Sequence, residues 1–364
     1  NCKDPDNITI TADKKLYEEF EEYEYQDDLR YGEIWDGDEL TVTDYLYAMM
    51  LTSSCEASNI LAYYFGNQNI SAFVEMMNAK AKEIGAEHTV FANPHGLYDS
   101  KQVTTAKDMS LITQYALTVP GFEEIATAEE YEVHPKSYVT VHEDPWTWTH
   151  SNIIMSAASD FYVYGVKGIK TGNLQLSGRN IVTMGTYDGI KYLLVLLNAP
   201  FYDENGNSKY YHIIDACNFM EWVFDNFEYK ELLSEGEEIA EVKVENSDGN
   251  GYVLVKPEED VSTLWYNEVD VTSIQKNIKL YDSVQAPVKK NQKLGEIELK
   301  LSDEIIANVD LVASSDIDRS FVKFNLSTAK DFFGSKWMKR AVWISLSLLL
   351  FYLAICIWAF VYAK

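Results

Sequence analysis

The chain has 364 residues, 47% of them hydrophobic, with 25 Tyr and a formal net charge of −27. That length suffices for two domains and a sizeable core. The charge argues against a broad basic face for nucleic acid or an anionic membrane, and permits a cationic or zwitterionic substrate without requiring one.

The four cysteines, Cys2, Cys55, Cys217 and Cys356, form no CxxC and no His/Cys cluster, and the six histidines are scattered. Neither a metal site nor a disulfide framework is expected. The chain opens at Asn1-Cys2-Lys3 with no Met and no signal peptide, which points to a fragment of a longer protein or a processed one.

Residues 7–12 (NITITA) alternate as a short strand does. Much acid is concentrated in residues 18–28 (EEFEEYEYQDD), which read as a solvated surface segment or as a recognition feature. A helical pattern covers residues 44–65, with Thr43 as N-cap and Leu46, Met49, Met50, Ala57 and Ile60 at three- and four-residue spacings. Thr52-Ser53-Ser54-Cys55 interrupts its apolar face, so two helices meeting at a corner are expected. Residues 71–84 form an amphipathic helix ended by Gly85. A turn at 93–98 contains His95 as a turn residue, a helix covers 104–117, and a short one fits 123–129. Residues 131–145 look extended, and the two Trp of 146–154 sit against a core or a cleft wall.

Lys170-Thr171-Gly172 joins a cation, a hydroxyl and a residue without Cβ. Taken alone, the tripeptide has two readings. It is a turn before a strand, or it lies on a strand edging a cleft. There Lys170 and Thr171 give a substrate carboxylate charge-assisted hydrogen bonds, and Gly172 lets a peptide backbone approach. Two β-type runs around Asp188-Gly189 signal a hairpin after it. Residues 210–227 are helical. From 237 to 312 short alternating strands read as a small all-β module. Residues 341–363 are an uncharged, almost unbroken apolar run, as a helix roughly 35 Å long and enough to cross a membrane. Trp337, Trp343, Trp358 and Tyr362 supply interface aromatics, and the alternative is a buried core helix.

Residues 45–59 (YLYAMMLTSSCEASN) are similar to the helix carrying the S-x-N motif of the D-alanyl-D-alanine carboxypeptidases, the low-molecular-weight penicillin-binding proteins. Residues 73–85, Asn93-Pro94-His95-Gly96-Leu97 and residues 104–109 resemble that family's next landmarks. Residues 168–172 (GIKTG) match its GxKTG strand, and residues 237–312 resemble its C-terminal β domain. The resemblance covers nearly the whole chain in one order. It implies an α+β fold: a penicillin-binding/β-lactamase-like transpeptidase domain of antiparallel sheet and helices at 1–228, a β domain at 229–315, a linker at 316–336 and a transmembrane anchor at 337–364.

By that resemblance Lys170 and Thr171 anchor the terminal carboxylate of D-Ala-D-Ala, with Gly172 beside them, and Ser53 relays a proton to the leaving amine. For Ser53 the alternative is a helix-capping hydroxyl. Peptidoglycan stem peptides would be the substrate and β-lactams the inhibitors of the full-length protein, with no cofactor, metal or nucleic acid. Two departures matter. Cys55 stands where the family has Asn, offering only a weak S–H; Asn59, one turn on, replaces it only if the register shifts. The S-x-x-K pair that supplies the family's nucleophile is missing from the expected place. The matches at Ser273–Lys276 and Ser327–Lys330 fall in the β module and the linker.

The expected protein is therefore an N-terminally truncated serine carboxypeptidase, inactive as this fragment. A catalytically lapsed protein that binds peptidoglycan or scaffolds wall synthesis is the second reading, and a membrane-tethered adhesion module the third. Lys336, Lys339 and Arg340 before the apolar run would keep the large domain in the cytoplasm by charge alone. The family's work on the cell wall places it on the extracellular side.

Overall fold

The computed structural model describes residues 4–139, 142 and 146–362. Cys2, the expected N-terminal boundary at Asn1, residues 140–141 and 143–145 of the extended stretch, and Ala363 lie outside them. The chain divides into two units, residues 1–225 and 226–364.

In the first unit strand β1 (Thr9–Thr11) pairs antiparallel with β2 (Glu39–Thr41). Helix α1 (Val42–Tyr47) follows at once. Its N-cap is Thr41, two residues before the expected Thr43. The Thr41 hydroxyl accepts from Asp44 N at 3.1 Å while Asp44 Oδ2 accepts from Thr41 N at 2.8 Å, a reciprocal capping box that a start at Thr43 lacks. One wide π-type turn, Ala48–Thr52, leads into the expected corner, and α2 (Cys55–Phe65) leaves it. Helices α3 (Ile70–Glu83), α4 (Ala106–Leu117) and α5 (Phe122–Ala126) follow. Strands β3 (Glu130–Glu132) and β4 (Thr147–Thr149) make a two-stranded sheet. Trp146 and Trp148 are buried in the core with Leu40, Tyr45 and Ile60. The acidic segment is only partly solvated: Phe20 and Asp28 are buried, and Asp28 accepts from Gln175 N at 3.1 Å.

The antiparallel sheet runs in the order β5 (Val166–Leu174), β6 (Gly178–Tyr187), β7 (Ile190–Ala199). Asp188 and Gly189 both have positive φ, 47° and 77°, and close the β6–β7 hairpin between the paired Tyr187 and Ile190. This is the backbone that a two-residue turn matched to strand twist requires. Alternation along the strands buries both faces. Ile181, Leu194 and Leu196 pack under α6 (Tyr211–Asn226), whose Ile213, Ala216 and Met220 meet them. Val182, Met184, Leu193 and Val195 face the other way, toward Met109 and Leu117 of α4 and Phe122 of α5. At Gly185 a Cβ would stand 2.7 Å from Phe224 Cζ, so the missing side chain lets α6 close on the sheet.

The second unit opens with β8 (Phe227–Leu233), then β9 (Ala240–Glu245), β10 (Tyr252–Pro257) and β11 (Val261–Tyr266), which pairs with β8. Strands β12 (Gln275–Leu280), β13 (Val284–Gln285), β14 (Lys293–Leu301) and β15 (Glu304–Ala313) complete a six-stranded sheet ordered β12-β14-β15-β10-β9-β13. Its core holds Val253, Leu294, Ile297 and Leu311. Helix α7 (Phe321–Gly334) crosses the stretch read as a linker. Helix α8 (Lys336–Tyr362) is long and apolar enough to cross a membrane, and no part of it is buried.

Thr41→Ala removes the cap of the helix that leads to the corner. We expect it to lower the stability of the first unit by about 1 kcal/mol, read as a shift in the urea midpoint followed by tryptophan fluorescence.

Candidate active site

The corner between α1 and α2 sets Ser53. The π-type turn ends with Thr52 Oγ1 donating to Ala48 O at 2.8 Å, and Ser53 takes a left-handed backbone with φ 63°. Capping of α2 falls to the next residue: Ser54 Oγ accepts from Ala57 N at 3.0 Å. Ser53 is thus not the helix cap, and its hydroxyl points out of both helices. Lys170 Nζ donates to it. The two residues stand 117 positions apart in the chain.

Lys170-Thr171-Gly172 lies within β5 and not in a turn. β5 is an outer strand of its sheet, so its far edge is left for a ligand. A cleft of about 380 Å³ runs there, lined by Ser53, Lys170, Thr171, Gly172, Ser151 and His95 among others. A further hollow of about 310 Å³ shares Gly96 and Lys170–Gly172 with it, so the groove continues along the strand. A Cβ on Gly172 would meet nothing of the protein nearer than Asn180 Cβ at 4.0 Å, so its face stays open.

Burial pushes the Lys170 ammonium down to about 8, and the Arg30 guanidinium adds to the fall. Besides Ser53, its Nζ donates to Thr171 O at 3.0 Å. No carboxylate pairs with it among the described residues, which leaves its charge for an incoming anion. Thr171 Oγ1 lies 2.8 Å from Ser151 Oγ.

Ser151 escapes the sequence reading, which saw residues 146–154 only through their two Trp. Its loop is pinned by buried polar contacts. Asn152 Nδ2 donates to Gly168 O, and Asn152 N donates to His150 Nδ1 at 2.9 Å. His150 Nε2 lies 3.2 Å from Ala126 O. Burial lowers His150 to about 4, so the ring is neutral at pH 7.

Cys55 is buried among Phe20, Leu29 and Leu97, and its N donates to Arg30 O at 2.9 Å. Burial pushes its thiol up to about 11, which leaves no thiolate at neutral pH. Asn59 does not take its place: Nδ2 donates to Leu16 O and Glu19 Oε1, each at 2.8 Å. His95 behaves as a turn residue, with Nδ1 accepting from Leu97 N at 3.2 Å. Ser273 and Lys276 belong to the second unit, Lys276 on β12 and Ser273 just before it, and Ser327 and Lys330 are on α7. The cleft's own serines, Ser53, Ser58 and Ser151, have no Lys three residues on.

Residues 9–201, just over half of the chain, match the D-alanyl-D-alanine carboxypeptidase family. The chain belongs to that family. It is a family of serine-type carboxypeptidases, and residues 227–319 match the C-terminal domain of penicillin-binding protein 5. The chain is 26% identical over 297 residues to D-alanyl-D-alanine carboxypeptidase DacF of Bacillus subtilis, covering 81% of this chain and 71% of that protein. Over 285 residues it is 26% identical to DacA of Haemophilus influenzae, covering 77% and 66%. It thus spans about two thirds of the length of these relatives. Penicillin-binding protein 5 from Haemophilus influenzae superposes with a TM-score of 0.57 at 21% identity, over 86% of this chain and 84% of that one. The fold is accordingly the α+β penicillin-binding transpeptidase type with a C-terminal β domain. The adhesion reading required Ser53 and Lys170 to lie far apart, and their hydrogen bond overturns it.

Lys170 titrates near 8 when folded and at its ordinary 10.5 when unfolded. Between these values the unfolded chain holds more protons, so stability rises with pH across that window. Below about pH 8 both states are charged and the cost of burial is felt in full. Lys170→Met should therefore be more stable than the parent at pH 7. The gap should narrow between pH 8 and 10.5, as measured by denaturation midpoints at each pH.

Proposed function

We propose that this chain supplies the carboxylate anchor and proton relay of an enzyme that removes the terminal D-Ala from peptidoglycan stem peptides through a serine acyl-enzyme. The observation that carries the reading is the Lys170–Ser53 hydrogen bond at the open edge of β5. A peptide laid along that edge pairs its backbone with the strand and brings its terminal carboxylate to Lys170 and Thr171. Ser151 holds the Thr171 hydroxyl in place. Ser53, polarised by Lys170, passes a proton to the departing amine. The nucleophile and its base come from an S-x-x-K helix outside these 364 residues, because no cleft serine is followed by the required lysine. Loss of a serine nucleophile costs about a millionfold in rate in a serine hydrolase, so the chain alone is inactive. Helix α8 anchors the enzyme in the cell membrane with the catalytic unit on the extracellular side, where the wall lies. β-Lactams acylate the full-length protein.

Cys55 supports a second reading. A buried, protonated thiol gives the leaving group far weaker hydrogen bonding than an amide, as in a lapsed protein that binds peptidoglycan or scaffolds wall synthesis. Fluorescent penicillin separates the two. We expect a covalent adduct on the full-length protein and none on the 364-residue chain; an unlabelled full-length protein would favour the lapsed form.

In the full-length enzyme Lys170→Ala should lower kcat/KM for a D-Ala-D-Ala peptide by roughly 10²–10³-fold. The parent's preference for the free acid over the C-terminal amide should vanish with it. A variant that still prefers the acid as strongly would remove Lys170 from the anchor.

A further inference from the structure

At the Leu174 end of the cleft a short segment crosses from the sheet to the helices. Asp28 and Arg30 of this segment line the cleft. Both Asp28 oxygens accept from Gln175 N at 3.1 Å, one residue past the end of β5. Arg30 O accepts from Cys55 N at 2.9 Å, at the start of α2. Residues 28–30 are thus tied down on both sides.

Arg30 is the side chain that this segment offers to a ligand. It is exposed, and it forms no ion pair among the described residues. Nη1 donates to Asp27 O at 2.8 Å and to Leu29 O at 2.7 Å, which holds the guanidinium against its own loop. Nε and Nη2, the opposite edge, donate to no protein group among the described residues. That edge presents two parallel N–H groups, the fork that a carboxylate accepts in bidentate fashion. Asp28, in the same wall, is spent on Gln175 N through both oxygens. Burial lowers Lys170 and raises Asp28, while the Arg30 charge favours the deprotonated form of each, so its field covers this stretch of the cleft.

The strand sets which part of a peptide comes to Arg30. The β5 residues that line the cleft run from Lys170 to Leu174, so a peptide whose carboxylate sits at Lys170 and Thr171 has room only toward Leu174. Each extended residue advances about 3.3 Å, in step with the strand beside it. Counted from Thr171, the D-Ala-D-Ala pair lies along Gly172 and Asn173. The residue before the pair comes level with Leu174, next to the Gln175–Asp28 tie and the Arg30 loop. We propose that Arg30 selects stem peptides that carry a free side-chain carboxylate on the residue preceding D-Ala-D-Ala, over peptides with an amidated or neutral side chain there. The inference rests on the carboxypeptidase reading and names the substrate class that this cleft favours.

Two N-acetyl peptides ending in D-Ala-D-Ala test it, identical except that the preceding side chain ends in a carboxylate or in a carboxamide. With the full-length protein we expect kcat/KM for the acid to exceed that for the amide by roughly tenfold. Arg30→Gln should level the two while changing the amide peptide by less than about threefold. Arg30→Lys, which restores the charge without the fork, should keep a preference of at least about threefold. Binding is read in parallel by calorimetry, with the scissile amide replaced by an uncleavable ketomethylene link. Tighter binding of the acid that Arg30→Gln abolishes supports the assignment even if neither cleavable peptide is hydrolysed, an outcome that would sink the carboxypeptidase reading alone. Equal binding of acid and amide by the parent, or an acid preference that survives in Arg30→Gln, would overturn the role of Arg30 and leave the carboxypeptidase reading standing.

Discussion

Among the contacts between the sheet and the helices of the first unit, one sets the site: the ammonium of Lys170, on an outer strand, meets the hydroxyl of Ser53, at a helical corner. Each side is held by the packing of its own layer. On the sheet side, alternation along β6 and β7 buries both faces, which fixes β5 in height and tilt. On the helix side, capping passes to Ser54 and leaves Ser53 free in a left-handed backbone that a regular helix does not contain. The lysine is consequently half-buried in the cleft wall, and its proton affinity falls toward the range useful for catalysis near neutral pH.

The rest of the cleft is rigid for a related reason. His150, Ser151 and Asn152 carry no regular secondary structure, yet their polar groups are satisfied within the fold by Ala126 O, Gly168 O and Thr183 Oγ1. Such a loop cannot slide without exposing an unpaired group to an apolar interior. The Thr171 hydroxyl inherits that rigidity through Ser151. A site built this way is organised before the substrate arrives.

Local chemistry made some elements legible from sequence alone. Asp188-Gly189 announced the hairpin because so few residue pairs tolerate two positive φ angles in succession. The small polar run 52–55 announced the corner because it interrupts an apolar stripe. What stayed hidden depended on distant partners. Thr41 could not be told from Thr43 as the cap until Asp44 was seen to close the box. The family motif singled out Ser53, but whether it capped the helix stayed open until Ser54 was seen to cap α2 and Ser53 to meet Lys170. Ser151 left no trace because its meaning lies in Thr171, and Asp28 looked like one more surface acid until Gln175 claimed it.

The outer edge of β5 has a cost beyond the reaction it serves. A strand with unmatched backbone groups will accept any extended chain, including the same strand from a neighbouring molecule. Proteins commonly guard such edges with a bulge or a lysine, and β5 has both: its register shifts between Lys167 and Lys170, and Lys167 is exposed. The surface as a whole adds to that local guard. A net charge of −27 keeps like molecules at a distance, so the acidity of this chain works as a colloidal safeguard for a sticky edge that must stay bare.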